Sequence, residues 1–201
     1  MHTPTKPSLQ EIDFDRVRGD VDDLLEIVPG VPAVYSWHRR FRPPAPEHQQ
    51  AEEFAAYVLS EIARPHAVPR QARVGPVYRV HLESERSLPE GKIADLLRFC
   101  ADLTFRRELH ALLADHADTF APPLYVGRTR SLRKRLHQHF LGETGLRERL
   151  QTAGIEITTA RVRYVDLSAL YDENEDDDAA IAVIEDVLSR LFFPPFTVRY
   201  G

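Results

Sequence analysis

The 201-residue chain predicts an α+β fold: a small mixed or antiparallel sheet flanked by helices, with a mostly helical insertion. Three observations predict it. Short β-branched and aromatic runs at 33–37, 124–126 and 160–167 read as strands. Longer segments at 49–63, 91–114, 131–142 and 179–193 carry apolar residues three and four apart, the period of a helix with one buried face. Proline and glycine clusters, with Pro29, Gly30 and Pro32, then Pro122 and Pro123, then Pro194 and Pro195, punctuate these runs.

Taken in order, residues 1–19 are polar and read as a loose lead-in, and 21–28 as a short helix ended by Pro29 and Gly30. Ala33 to Trp37 forms the first strand. A proline-rich loop over 41–48 leads to a helix whose apolar positions are 51, 54, 55, 58 and 62, closed by Pro65. Val74 to Leu82 reads as a single strand. Gly91 to Ala114 reads as one long helix, or two with a break. Leu124 to Val126 is a strand that stops at Gly127. Ser131 is the expected N-cap of the next helix, with Leu132, Leu136 and Phe140 as its buried stripe. A second helix runs over 145–153, a strand over 160–167, and a last helix over 179–193 behind an acidic run that suits a helix N-terminus.

Composition narrows the class. Hydrophobic residues make up 43% and charged residues 28%, ordinary globular usage that excludes a disordered tail. No stretch has the length of apolar sequence a membrane helix needs, and the first 15 residues lack the apolar core of a signal peptide. One cysteine, Cys100, excludes an internal disulfide and a multi-cysteine zinc site. A cytoplasmic protein without membrane partners is expected. The net charge of −5 hides an uneven distribution. Residues 125–150 carry seven Arg/Lys against two Glu, whereas 172–178 hold six acids and no base. The first segment is a basic patch of the kind that meets phosphates.

Three groups of residues carry potential chemistry. In 125–140, Arg135 and His139 lie four apart and share a helix face, surrounded by Arg128, Arg130, Arg133 and Lys134. Guanidinium forks suit phosphate oxygens, while the same residues also describe a solvated basic helix. Glu185 borders the apolar stripe of Ile181, Ile184, Leu188 and Leu191. A carboxylate there costs free energy unless it is paired with a cation or bound to a metal. Tyr35 and Tyr125 lie in strand runs, each following apolar residues and preceding small or turn residues, and strand tyrosines are commonly core residues with a bonded hydroxyl.

In this order the segments PAVYSW (32–37), LYVGRTRSLRKRLHQH (124–139) and IEDVLSRLFFPPFTVRYG (184–201) resemble the GIY-YIG nuclease domain. Ala33-Val34-Tyr35 stands at the first triplet and Tyr125-Val126-Gly127 at the second. Arg135 stands at the catalytic arginine, His139 at the helical histidine and Glu185 at the metal-binding glutamate. Thr197 holds the place of the family's asparagine, and Ala33 that of its first glycine. The first departure is expected to weaken a hydrogen bond near the site, the second to alter a close backbone approach. A further departure is the 89 residues between Tyr35 and Tyr125, where the family has a short loop. The resemblance implies a lead-in with a short helix over 1–30, a nuclease core over 31–41 and 120–201, and an inserted helical subdomain over 42–119.

It also implies an activity: metal-dependent endonucleolytic hydrolysis of nucleic acid, DNA favoured, in a setting such as repair, restriction or phage defence. Glu185 would hold one Mg²⁺ or Mn²⁺ and Arg135 would stabilise charge at phosphorus. Tyr125 would take the proton from water, with Tyr35 and His139 lowering its pKa or orienting it. His137 is the weaker alternative to His139. Arg128, Arg130, Arg133 and Lys134 would grip the nucleic-acid backbone. The insertion would contact substrate, a protein partner or a second copy. The alternative is a catalytically weak nucleic-acid-binding or protein-interaction module on the same fold. No P-loop, G-x-S-x-G or H-E-x-x-H motif points to another enzyme class.

Overall fold

A computed structural model describes residues 8–14, 21–63, 70–74, 78–82, 87–170, 175–192 and 194–197. The chain divides into two compact units, Met1–Arg39 with Ala121–Gly201, and Arg40–Phe120.

The first unit is built on a four-stranded sheet of β1 (Leu9–Asp13), β2 (Ala33–His38), β5 (Tyr125–Thr129) and β6 (Arg161–Asp166). Its order is β1-β6-β2-β5, and every neighbouring pair is antiparallel. The strands of Tyr35 and Tyr125 are therefore hydrogen-bonded neighbours, although a whole unit intervenes in sequence. Alternation along β2 and β5 sends side chains to two faces. On one face Tyr35, Trp37 and Tyr125 join a core with Leu25 of α1 (Val21–Glu26), Leu132, Leu136 and Phe140 of α6 (Leu132–Leu141), and Leu146 and Leu150 of α7 (Leu146–Thr152). On the other, Val34 and Val126 pack with Ile181 of α8 (Glu175–Phe192). The fold is α+β, an antiparallel sheet flanked by helices. Among the described residues no helix is long and apolar enough to cross a membrane.

Three elements differ from the sequence reading here. The strand expected to stop at Gly127 runs on to Thr129, because β2 offers it partners through Ala33, and the last helix begins at Glu175, inside the acidic run, rather than at 179. The polar lead-in contains a strand, β1. Its stretch Leu9–Asp13 pairs with β6, Ile12 enters the core, and Glu11 bridges Arg161 at 3.1 Å and Arg163 at 3.2 Å. The partner strand supplies the order that local composition does not. The apolar stripe of α8 is also shorter than its periodicity suggests. Ile181 is buried and Ile184 and Leu188 half-buried, but Leu191 is 67% exposed.

The second unit holds α2 (Ala51–Ala63), the antiparallel pair β3 (Arg70–Val74) and β4 (Tyr78–Leu82), and α3 (Glu90–Cys100). These precede α4 (Leu103–Ala111), a π-helical turn over Leu112–His116, and α5 (Ala117–Phe120). Phe54, Ala55, Val58 and Cys100 form its buried core. The run read as one strand over 74–82 is split between two. It contains Gly75 and Pro76, which interrupt a paired strand. The long helical pattern over 91–114 breaks at Asp102, whose carboxylate accepts the Thr104 N–H at 2.8 Å and caps α4.

Candidate active site

The site assembles around the edge strand β5. Tyr35 sits opposite Gly127, and Trp37 opposite Tyr125. Both tyrosine rings lie on the α6 face, with centroids 5.9 Å apart. A Cβ at Gly127 would lie 2.8 Å from each hydroxyl and 2.6 Å from a Tyr125 ring carbon. Glycine is thus what lets both hydroxyls lie over the strand. Ala33, in contrast, is fully buried in the core. The glycine that the close approach demands is the one in the second triplet, and Ala33 does not disturb it.

The start of α6 is held by the loop before β2. The Leu132 N–H donates to the Val31 carbonyl at 2.9 Å and the Arg133 N–H to that of Pro29 at 3.2 Å, meeting donors that a helix start leaves without partners. Ser131 occupies the N-cap position without a side-chain cap bond. The Thr129 hydroxyl instead accepts the Ser131 N–H at 3.1 Å and donates to its carbonyl at 3.0 Å. The Arg133 Nε donates to the Val28 carbonyl at 2.7 Å. One nitrogen of this exposed arginine thus ties α6 to the loop. Arg130 and Lys134 are exposed and Arg128 is half-buried.

This docking delivers Arg135 and His139 to the tyrosines. His139 is completely buried, and its Nε2 lies 2.7 Å from the Tyr35 hydroxyl. Its Nδ1 is hydrogen-bonded to the Thr144 hydroxyl. The Tyr125 and Trp37 rings meet the imidazole edge-on. Burial, then the charges of Arg135 and Arg149, push the His139 pKa down to about 3, so the imidazole is neutral. Burial, then Tyr125, pushes the Tyr35 hydroxyl well above the usual tyrosine range. His139 therefore hydrogen-bonds Tyr35 rather than Tyr125, and as a neutral partner it orients rather than charges. Burial opposes the charge of Arg135, but the oxygens of Tyr35 and then Tyr125 outweigh it and hold the guanidinium firmly protonated. Its Nη1 donates to Gln138 at 3.2 Å, while its Nε is buried with no hydrogen-bond partner among the described residues.

Across the strand edge, Arg128 alternates to the α8 face. Its Nε pairs with the Glu185 carboxylate at 3.1 Å, the glutamate side chain being 28% exposed. Burial raises the Glu185 pKa, and Arg128 and Arg135 act in the opposite sense. Among the charges acting on Glu185, that of Arg128 leads and that of Arg135 follows. The described residues contain no group of three His, Cys, Asp or Glu able to enclose a metal ion. Glu185 offers one carboxylate, and Oε2 is already engaged with Arg128. That donor set fits Mg²⁺ or Mn²⁺ in one form only, with one carboxylate completed by water and substrate phosphate, a habit common for Mg²⁺.

The tail contributes as well. The Thr197 hydroxyl accepts the Val126 N–H at 3.0 Å and donates to the Val126 carbonyl at 3.2 Å, and the Phe196 N–H donates to the Leu124 carbonyl at 2.9 Å. The threonine thus binds the outer edge of β5 twice. Sequence reasoning missed Thr144 and the steric role of Gly127. The first has no periodic signal, and the second depends on a register visible only once β2 and β5 pair. Comparison of the chain with protein families, curated proteins and solved structures finds no match.

Proposed function

We propose that the first unit is a metal-dependent nuclease that hydrolyses phosphodiester bonds, with DNA the favoured substrate. The observation that carries this reading is the gathering of Tyr35, Tyr125, Arg135 and His139 on one side of an edge strand, with Glu185 linked to them through the field of Arg135. A half-buried guanidinium held protonated beside the two tyrosines suits the charge that develops on a phosphate under attack. As a phenolate, its own hydroxyl proton given up to solvent, Tyr125 would accept the water's proton, Tyr35 and His139 would orient it from behind, and Arg128, Arg130, Arg133 and Lys134 would contact the backbone of the nucleic acid. Glu185 would hold Mg²⁺ or Mn²⁺, which when bound polarises the phosphate and eases departure of the leaving oxygen.

The test is a panel of labelled DNA and RNA structures incubated with the protein in Mg²⁺, Mn²⁺ or EDTA. Cleavage that EDTA abolishes and that Arg135→Ala removes is the expected result. No cleavage of any substrate overturns the reading. The Arg128–Glu185 ion pair favours a second reading, a binding module in which Glu185 is a structural partner. Salt-dependent binding without cleavage is its signature.

A further inference from the structure

His139 has a polar partner on each ring nitrogen, and only one of them, Tyr35, belongs to the tyrosine pair. The other is Thr144, five residues on, in the connection between α6 and α7. That connection is built to bring it there. Gly142 ends α6 at φ +82° and Gly145 precedes α7 at φ +68°, conformations in which glycine is strongly preferred. The Gly142 N–H donates back to the His139 carbonyl at 3.2 Å and the Glu143 N–H to that of Gln138 at 2.9 Å. The chain is wrapped over the last turn of α6, and the buried Leu146 and Leu150 anchor α7 in the core. Two residues separate the glycines, and the second is Thr144, whose hydroxyl reaches Nδ1.

A neutral imidazole donates from one nitrogen and accepts at the other. The choice at Nδ1 therefore dictates the hydrogen bond at Nε2. Arg135 is a donor only, and its charge acts on the oxygens of both tyrosines. Its field turns the Tyr35 lone pairs towards itself and the Tyr35 proton away, onto Nε2. For Nε2 to accept, Nδ1 must carry the proton, and Thr144 must accept it.

We propose that Thr144 is a positioning residue: its hydroxyl accepts the Nδ1 proton of His139, holds the imidazole in the Nδ1–H tautomer, and thereby makes Nε2 the acceptor of the Tyr35 hydroxyl proton. The Tyr35 oxygen then presents its lone pairs to Arg135, away from His139. The catalytic role of Thr144 rests on the nuclease reading; the tautomer does not.

The experiment uses the full chain and two variants. Thr144→Val removes the hydroxyl at nearly constant shape, and Thr144→Ser keeps it. Nitrogen-15 NMR of the imidazoles reads the tautomer. The parent and Thr144→Ser are expected to show Nδ1–H at His139, and Thr144→Val to show Nε2–H. Nε2–H in the parent, or Nδ1–H persisting in Thr144→Val, overturns the proposal. If Thr144→Val does not fold, Thr144→Ala is read in its place, with the same outcomes deciding.

Cleavage of labelled DNA with Mg²⁺ is measured on the same samples. A positioned proton acceptor supplies about 10²–10⁴-fold. Thr144→Val is expected to lose on the order of 10-fold or more of that in kcat, with KM unchanged and Thr144→Ser at the parent rate. A flipped tautomer with parental kcat also overturns the proposal. A tautomer that flips in Thr144→Val, with a parent that cleaves nothing, upholds the hold of Thr144 on His139 and removes the nuclease reading instead.

Discussion

At the scale of single residues, burial and charge assign the roles. Glu185 is half-buried beside Arg128, yet its pKa is raised, so burial outweighs the attraction of its partner. Glu185→Gln is therefore expected to leave the melting temperature at neutral pH unchanged or slightly higher. As a metal ligand, its loss should lower cleavage by orders of magnitude, while nucleic-acid binding survives through Arg128, Arg130 and Lys134. A clear drop in melting temperature, with activity falling only as the folded fraction does, would instead make Glu185 a structural partner. His139 carries the pH dependence. Its folded pKa of about 3 lies below the roughly 6.5 of an unfolded histidine. Its contribution to stability is thus fully present above about pH 6.5 and is lost as pH falls from there towards 3, because the unfolded chain binds the proton first. In an NMR titration of the folded protein His139 should stay neutral. An imidazolium at His139 in folded protein at pH 5 would contradict the buried geometry.

At the scale of elements, the edge of β5 is where the fold and the site meet. An exposed strand edge carries unpaired backbone groups and invites pairing with other chains. Thr197 covers this one at Val126 by donating and accepting together. Thr197→Val, which keeps the shape and removes both bonds, is expected to destabilise by about 1–3 kcal/mol, with faster hydrogen exchange at the Val126 amide. Protection equal to the parent's would show that the tail does not hold the edge. The helices were legible in sequence because each has to bury a stripe: α2, α6 and α7 lie within a few residues of their apolar periods. The strand β1 was not. Glu11, Ile12 and their neighbours read as polar lead-in, and only the pairing with β6 and the two arginines that meet Glu11 make it a strand.

At the scale of the whole molecule, two strands that pair residue for residue are separated by a unit with its own core. Trp37 faces Tyr125, and the Leu124 N–H donates to the Trp37 carbonyl at 2.7 Å. The ends of Arg40–Phe120 therefore leave and return at adjacent strands, and a hairpin loop of about two to five residues can join them. A chain with that replacement is expected to fold, since the buried cluster of the sheet draws only on the first unit. It should retain metal-dependent cleavage and lose substrate preference. If it folds and keeps the full preference, the second unit is not the specificity element.

The sequence by itself determined the α+β class and the helices with strong apolar periods, and the family resemblance put forward Tyr35, Tyr125, Arg135, His139 and Glu185 as candidates. Those features are local, because periodicity, residue type and helical spacing need no knowledge of distant contacts. Tertiary structure alone decided which tyrosine His139 serves, that Thr144 lies against the other side of the imidazole, that Gly127 lies under two hydroxyls, that Arg133 ties down a loop, and that Thr197 binds a strand edge twice. Each of these depends on strand register, burial or a turn that joins residues no periodic pattern connects. Hydrogen-bond partners and desolvation exist only once the chain has closed on itself.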